Sequence, residues 1–217
     1  TGHNLSIRGG SEKLSSFLSL NYLKQEGIIT NTDAERFGMR ANLEYKVNSW
    51  LKVGARLNYI RRNSQEPFDL SRVFFIQSGA APFIAPYTRD GRFGSVEAIA
   101  QDGTLLYDNR NPLIDASNGA TKTTLDYMSL NAFATVDFTK DLNLQVTWAS
   151  NGNWKMVDKY NETLYGYTDS GIETMTINYN RDGLEMSREQ ISTMRNNFHA
   201  TLNYSKKFVE KHSVAGI

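Results

Sequence analysis

Residues 36 to 47 alternate between oily and polar positions almost without fault. Phe37, Met39, Ala41, Leu43, Tyr45 and Val47 fall on one side, and Arg36, Gly38, Arg40, Asn42, Glu44 and Lys46 on the other. Successive side chains of a strand point to opposite faces, so the period of two predicts a strand with one oily and one polar face. After Asn48-Ser49 the pattern restarts. Leu51, Val53, Ala55, Leu57 and Tyr59 oppose Lys52, Gly54, Arg56, Asn58 and Arg62, with Ile60 out of phase. Two such runs joined by a short polar connection predict a hairpin.

The unit recurs. Met128, Leu130, Ala132, Ala134, Val136 and Phe138 alternate with polar residues, Phe133 being the exception. A turn at Lys140-Asp141 leads into Leu142, Leu144, Val146 and Trp148. Another copy runs through Phe198, Ala200, Leu202 and Tyr204 to Phe208 and turns through Glu210-Lys211-His212. Near the start, Leu5 and Ile7 precede a turn at Ser11, and Leu18, Leu20 and Tyr22 follow it.

The expected strands run about 10–13 residues, against about 5–6 for an average soluble strand and about 9–11 for a tilted membrane-crossing one. Connections alternate in length. Those near Ser11, Asn48, Lys140 and Lys211 are short, and those at 26–35, 61–126 and 159–194 are longer. In an up-and-down sheet all short turns then fall on one side, the asymmetry of outer-membrane barrels. Trp50, Phe138 and Phe208 sit beside short turns, with Tyr45 slightly further in. Tyr22, Tyr59, Tyr127 and Trp148 sit toward the long connections. Aromatic residues favour both membrane–water interfaces, although they are common in strands anyway.

The fold expected is therefore all-β, an antiparallel up-and-down transmembrane β-barrel segment. It has about seven full strands and the beginning of another, too few for a barrel with such loops. The chain begins at Thr1 and stops within the apolar run Val214-Ala215-Gly216-Ile217, and is expected to be an internal piece of a longer protein. The whole of 1–217 is expected to belong to one barrel domain.

Composition changes this picture little. The 24 Lys+Arg and 23 Asp+Glu give a net charge of +1, without the basic excess of a nucleic-acid binder. There is no cysteine, which excludes disulfides, zinc–thiolate sites and a thiol nucleophile. The mean hydropathy of -0.49 is compatible with a barrel, whose two strand faces average out.

The run Asn4-Leu5-Ser6-Ile7-Arg8-Gly9-Gly10-Ser11-Glu12-Lys13 and the run Ser19-Leu20-Asn21-Tyr22-Leu23-Lys24-Gln25-Glu26-Gly27-Ile28-Ile29 resemble the barrel of SusC/RagA-type TonB-linked outer-membrane transporters. So do Arg36–Leu43, Trp50–Gly54, Asn111-Pro112-Leu113 and Asn197–Tyr204. The resemblance covers essentially the whole chain and is most specific in its first forty residues. It implies part of a 22-stranded barrel in the outer membrane of Bacteroidetes-type bacteria, with a plug domain that nothing in this chain matches. It also implies energising by TonB, a SusD-like surface lipoprotein as lid, and import of glycans or peptides.

Within 61–126, Asp69–Ile76 predicts a short helix capped by Asp69 or Ser71. Phe74, Phe75, Phe83, Tyr87 and Phe93 concentrate in this connection. They are the candidate ligand or partner contacts, since aromatic faces stack on sugars and populate interfaces. Packing of the loop on itself is the competing expectation. Asn109, Asn111 and Asp115 resemble a polar ligand set, but turn chemistry explains such clusters equally. Strand extensions are expected around Tyr160–Tyr167 and Thr174–Asn180, and brief helix at Gly183–Met186 and Ser187–Ile191.

No catalytic, cofactor or metal residues emerge. His3, His199 and His212 are scattered, and HExxH, P-loop and GxGxxG patterns do not occur. The expected function is transport rather than enzymatic chemistry, with outer-membrane lipid among the partners. The rivals are a soluble all-β carbohydrate-binding or adhesion module and a passive porin-like barrel.

Overall fold

The computed structural model describes residues 1–80, 82–99, 101–108, 111–174, 185–208 and 212–216. Polar side chains close the short turns. Ser11 Oγ accepts from the Leu14 amide at 3.2 Å, Asn48 Oδ1 from those of Trp50 and Leu51 at 3.0 and 2.8 Å, and Thr139 Oγ1 from that of Asp141 at 3.2 Å. Each side chain replaces a backbone partner that the reversal removes. The turn expected at Lys211 lies outside the described residues.

In chain order the elements are β1 (Gly2–Gly10), β2 (Leu14–Glu26), β3 (Asp33–Lys46), β4 (Leu51–Glu66), α1 (Leu70–Gly79), β5 (Val96–Ile99), β6 (Leu105–Asp108) and α2 (Pro112–Ser117). Then come β7 (Ala120–Asp137), β8 (Leu142–Tyr160), β9 (Gly166–Tyr167), β10 (Glu173–Thr174), β11 (Met186–Phe208) and β12 (His212–Gly216). Eight of these strands form one antiparallel sheet in the order β1-β2-β3-β4-β7-β8-β11-β12. Each strand pairs with the sheet strand before it in sequence, so the chain runs up and down. The sheet is an open arc with β1 and β12 at its edges. The pairs β5–β6 and β9–β10 are small separate ribbons.

Register aligns the oily positions across the arc. Leu5 faces Leu20, Leu20 faces Met39, and Met39 faces Tyr59. Leu57 faces Leu130, Ala132 faces Trp148, and Trp148 faces Phe198. Directly paired residues share a face, so one apolar surface crosses seven strands. It is open to the outside: Ile7 is 59%, Leu43 50% and Phe198 75% exposed. On the long-connection side the same face turns into ion pairs, Lys24–Glu35 at 3.7 Å, Arg61–Asp126 at 2.7 Å and Arg188–Asp158 at 2.5 Å. The Tyr59 hydroxyl donates to Asp126 at 2.5 Å, at the boundary between oil and charge. Trp148, expected toward the long connections, is mid-strand, although the next residue on its face is Ser150.

Ile60 and Phe133, the two phase breaches, lie on the polar face, and the second has a packing cause. Phe133 pairs with Gly54, and a Cβ on Gly54 would collide with the Phe133 ring. The missing side chain makes room for an aromatic ring, over which the Arg56 guanidinium sits at 5.2 Å.

β2 keeps to the expected 10–13 residues, whereas β3, β4, β7, β8 and β11 exceed them. The strands lengthen from 13 in β2 through 16 in β4 and 19 in β8 to 23 in β11. The surplus extends on the long-connection side, so the connections contract to 27–32, 67–119 and 161–185. Ser187–Ile191, expected as helix, is strand, paired residue by residue with β8. Both faces of these extensions carry polar residues, so the alternation fades where the ladder continues. The expectations for 175–180 and 183–184 fall outside the described residues.

Among the described residues the buried apolar ones belong to the two helices and one strand end rather than to the broad face of the sheet. Val73, Ile76, Ile114 and Ala116 are buried in α1 and α2, and Ala120 at the start of β7. No helix among the described residues is long and apolar enough to cross a membrane.

Candidate functional site

The three longer connections assemble on one side of the sheet. Asp69 caps α1, its carboxylate accepting from the Arg72 amide at 2.9 Å, which settles the choice between Asp69 and Ser71. Asn111 caps α2 ahead of Pro112, its Oδ1 accepting from the Leu113 amide at 3.1 Å. Its Nδ2 donates to the carbonyls of Pro86 and Gly94 at 2.9 and 3.0 Å, and the residue is 2% exposed. One buried amide thus ties a helix start to two loop segments. Arg72 Nε donates to Asp115 Oδ1 at 2.5 Å, joining the two helices. Burial pushes the Asp115 carboxyl above its ordinary value, against the pull of Arg72.

Other contacts lace the connections together. Asn31, at a φ of 63°, donates from Nδ2 to the Ala116 carbonyl at 3.0 Å. Asn118 Oδ1 accepts from the Glu162 amide at 2.9 Å. The Tyr167 amide donates to the Phe93 carbonyl at 2.8 Å, and the Arg92 guanidinium lies 4.0 Å from the Tyr167 ring centre. Arg92, with the Thr88 hydroxyl, also holds the Asp90 carboxyl down at about 2. Asn111 and Asp115 therefore do capping and pairing work rather than surrounding an ion, and Asn109 lies outside the described residues. Among the described residues no cluster of three His, Asp or Glu is arranged to hold a metal.

The five candidate aromatics do not form one cluster. Tyr87 and Phe93 pair across a tight turn, with ring centres 5.8 Å apart. Phe74 and Phe75 project from α1 at 54% and 73% exposure, and Phe83 is 70% exposed. The interior of this cap is aliphatic, so Phe74, Phe75 and Phe83 are not its core. Phe74 borders a recess of about 480 Å³ with Glu66, Phe68, Asp69, Thr121 and Lys159. The Lys159 ammonium sits 4.2 Å from the centre of the Phe68 ring. A second recess of about 380 Å³ is lined by Ile28, Ile29, Val73, Ile84, Leu113 and Ala116, among others. Sequence reasoning missed Asn111 as a linchpin. Its signal was the Asn-Pro pair, a cap followed by the residue best suited to a first helical position.

No protein-family model matches the chain. Among curated proteins, it is similar to three TonB-dependent receptors of Formosa agariphila. Receptor P26 is 43% identical over 56 residues, or 26% of this chain. Receptor P3 is 21% identical over 73% of it, and receptor P39 is 23% identical over 99%. The chain spans 6%, 16% and 19% of their respective lengths. Among solved structures, it is similar to the RagAB peptide importer in its closed-closed state, with a TM-score of 0.66, and in its open-open state, with 0.67. Sequence identity there is 19% and 18%, and the match covers 99% of this chain and 23% of the importer chain. The resemblance to SusC/RagA-type transporters is borne out, and the sheet is an antiparallel arc of the kind that builds their barrels.

Proposed function

We propose that this chain forms part of the wall and the outer rim of a TonB-linked outer-membrane importer. The observation that carries the reading is the apolar surface that crosses seven strands in register and ends in ion pairs on one side and short turns on the other. In a soluble sheet such a surface would need a covering layer. In a barrel wall it faces lipid, and the polar face behind it faces a hydrated lumen. The long-connection side is then extracellular.

The cargo is a peptide or a glycan, and a SusD-like surface lipoprotein closes over the rim. Phe74, Phe75 and Phe83 present exposed rings to either, and the recess beside Phe74 combines an aromatic face with carboxylates and an amine. Tyr87, as exposed as Phe74, stacks on Phe93 across its turn. TonB engages a part of the protein beyond the residues of this chain. The rings carry out binding, not covalent chemistry.

The full-length protein, expressed in its native envelope, tests both parts. It is expected in the outer-membrane fraction, released by detergent and not by salt or alkaline wash. The triple variant Phe74→Ser, Phe75→Ser, Phe83→Ser is expected to insert normally while lid co-purification or cargo uptake falls about tenfold, the scale of a lost aromatic anchor. Recovery in the aqueous fraction sinks the importer reading. Unchanged capture by the variant removes the rings from it.

A further inference from the structure

The apolar surface of the arc changes character at its upper edge, where β7, β8 and β11 rise out of it. On β8 the apolar band begins at Leu142, and a strand tilted by about 40° uses up a band about 25 Å tall in about ten residues. Gly152 therefore stands at the upper edge and Trp154 just above it. Gly152 faces Met128 on one side and Met194 on the other, and Trp154 faces Asp126 and Ser192. A Cβ on Gly152 would collide with the six-membered ring of Trp154. The indole is thus folded back over the glycine, one face against the strand and the other turned outward. Its N–H has no acceptor among the described residues, and it is not sealed from the surface. Higher on the same surface Lys122 faces Asp158, and Asp158 faces Arg188. The Arg188 guanidinium donates to both Asp158 oxygens, at 2.5 and 3.0 Å, and its side chain is 66% exposed. Lys122 lies 5.8 Å from the centre of the Tyr160 ring, and among the described residues no carboxylate is within ion-pair distance of it. The corner has two cations to one carboxylate.

We infer that this corner of the outer wall seats a phosphorylated glycolipid of the outer leaflet. A phosphate meets Lys122 and Arg188, a sugar ring lies on the Trp154 indole, and acyl chains run down over Met128, Met194 and Phe198. Each part of the corner matches one part of such a molecule, in the same vertical order. The surplus ammonium and a guanidinium with outward donors suit a phosphate. An indole at the boundary keeps its ring in the apolar layer and its N–H toward polar acceptors, which sugar hydroxyls and phosphates supply. Met194 is 59% and Phe198 75% exposed, apolar area that acyl chains cover. A soluble anion would use the cations alone, and a phospholipid would leave the indole face uncovered. The wall is one sheet thick, so neither cargo nor anything held inside the barrel reaches this surface. The inference rests on the importer reading insofar as the apolar face meets lipid, and it adds a specific lipid to the partners.

The test uses purified full-length protein in detergent and native mass spectrometry, which weighs the lipid still held once the micelle is stripped away. The probes are phosphorylated lipid A, the same lipid A with its phosphates removed, phosphatidylglycerol and inorganic phosphate. Phosphorylated lipid A is expected to bind about tenfold more tightly than the dephosphorylated form, the scale of one charge-assisted hydrogen bond. It should also bind more tightly than phosphatidylglycerol. Lys122→Gln should bring the two lipid A forms close to parity, and Lys122→Arg should keep them apart. Trp154→Leu should weaken both lipid A forms about fivefold, the scale of one stacked ring, and leave phosphatidylglycerol unchanged. Heat-modifiable gel mobility checks that each variant is a folded barrel, and Arg188→Gln serves if Lys122→Gln is not. Equal binding of the two lipid A forms by the unmodified protein overturns the inference, as does a preference that survives in Lys122→Gln. Phosphatidylglycerol held as tightly as phosphorylated lipid A, or lipid displaced by inorganic phosphate, overturns it too. So does a dimer mass that Lys122→Gln turns into a monomer mass, by assigning the corner to a second copy of the protein. Lipid retention is read without uptake or localisation, so failure here is distinct from failure of the importer reading.

Discussion

Asp115 shows how the rim is held. Its side chain is 12% exposed and that of Arg72 17%, so the pair is largely withdrawn from water. Desolvation outweighs the guanidinium and raises the carboxyl's pKa. The folded rim thus keeps a proton that the unfolded segment releases. Its stability falls as pH rises from the unfolded carboxylate range through the raised value, and is flat above it. Asp115→Asn should flatten that profile. Arg72→Ala leaves a buried acid without its cation and should cost about 3–5 kcal/mol of local stability, whereas Arg72→Met with Asp115→Leu should be close to neutral. Hydrogen-exchange protection of residues 111–118, corrected for intrinsic exchange, reads all three variants. A full loss in the double variant would show the pair to be a net source of stability. Neither partner was legible as a pair in the sequence, because 43 residues separate them and no periodicity links α1 to α2.

At the scale of elements, the strands were legible wherever one face meets oil and the other water. The pairs Met39–Tyr59 and Leu57–Leu130 lie where the alternation puts them. Legibility ended where β4, β7, β8 and β11 rise into polar sequence such as Arg61-Arg62-Asn63-Ser64, because there the ladder continues without a hydrophobic contrast to mark it. The rim was legible only locally. The Asp69 cap is a contiguous signal, whereas the Asn111 bonds to Pro86 and Gly94 span 25 and 17 residues. Phe133 broke the period for a reason that concerns two strands, the vacancy over Gly54. Gly54→Val should therefore drive the Phe133 ring off its seat and cost about 1–3 kcal/mol, as overpacking does. Adding Phe133→Ala should recover only part of that loss, because the Leu43 carbonyl still lies 2.9 Å from the new Cβ. Urea unfolding of the full-length barrel, followed by heat-modifiable mobility, checks it. A Gly54→Val variant as stable as the parent would mean that the ring has another place to go.

The whole arc has two wet boundaries and one greasy surface, and its open edges at β1 and β12 carry unpaired backbone groups that a closed barrel would satisfy. The membrane reading makes adjacent residues behave as opposites. Leu130 lies on the apolar face between Leu57 and Ser150, and Ser129, its neighbour, lies on the polar face between Asn58 and Asn151. Arginine at a lipid-facing midplane position costs about 2–4 kcal/mol, while a hydrated lumen tolerates it. Leu130→Arg should accordingly lower the assembled fraction and the unfolding midpoint of the full-length protein in bilayers, and Ser129→Arg should leave both nearly unchanged. In a soluble sheet with two wet faces the two substitutions would differ little, because both side chains would reach water. Equal tolerance of the two arginines, measured by bilayer unfolding, would therefore remove the lipid from this face and with it the physical basis for a barrel wall.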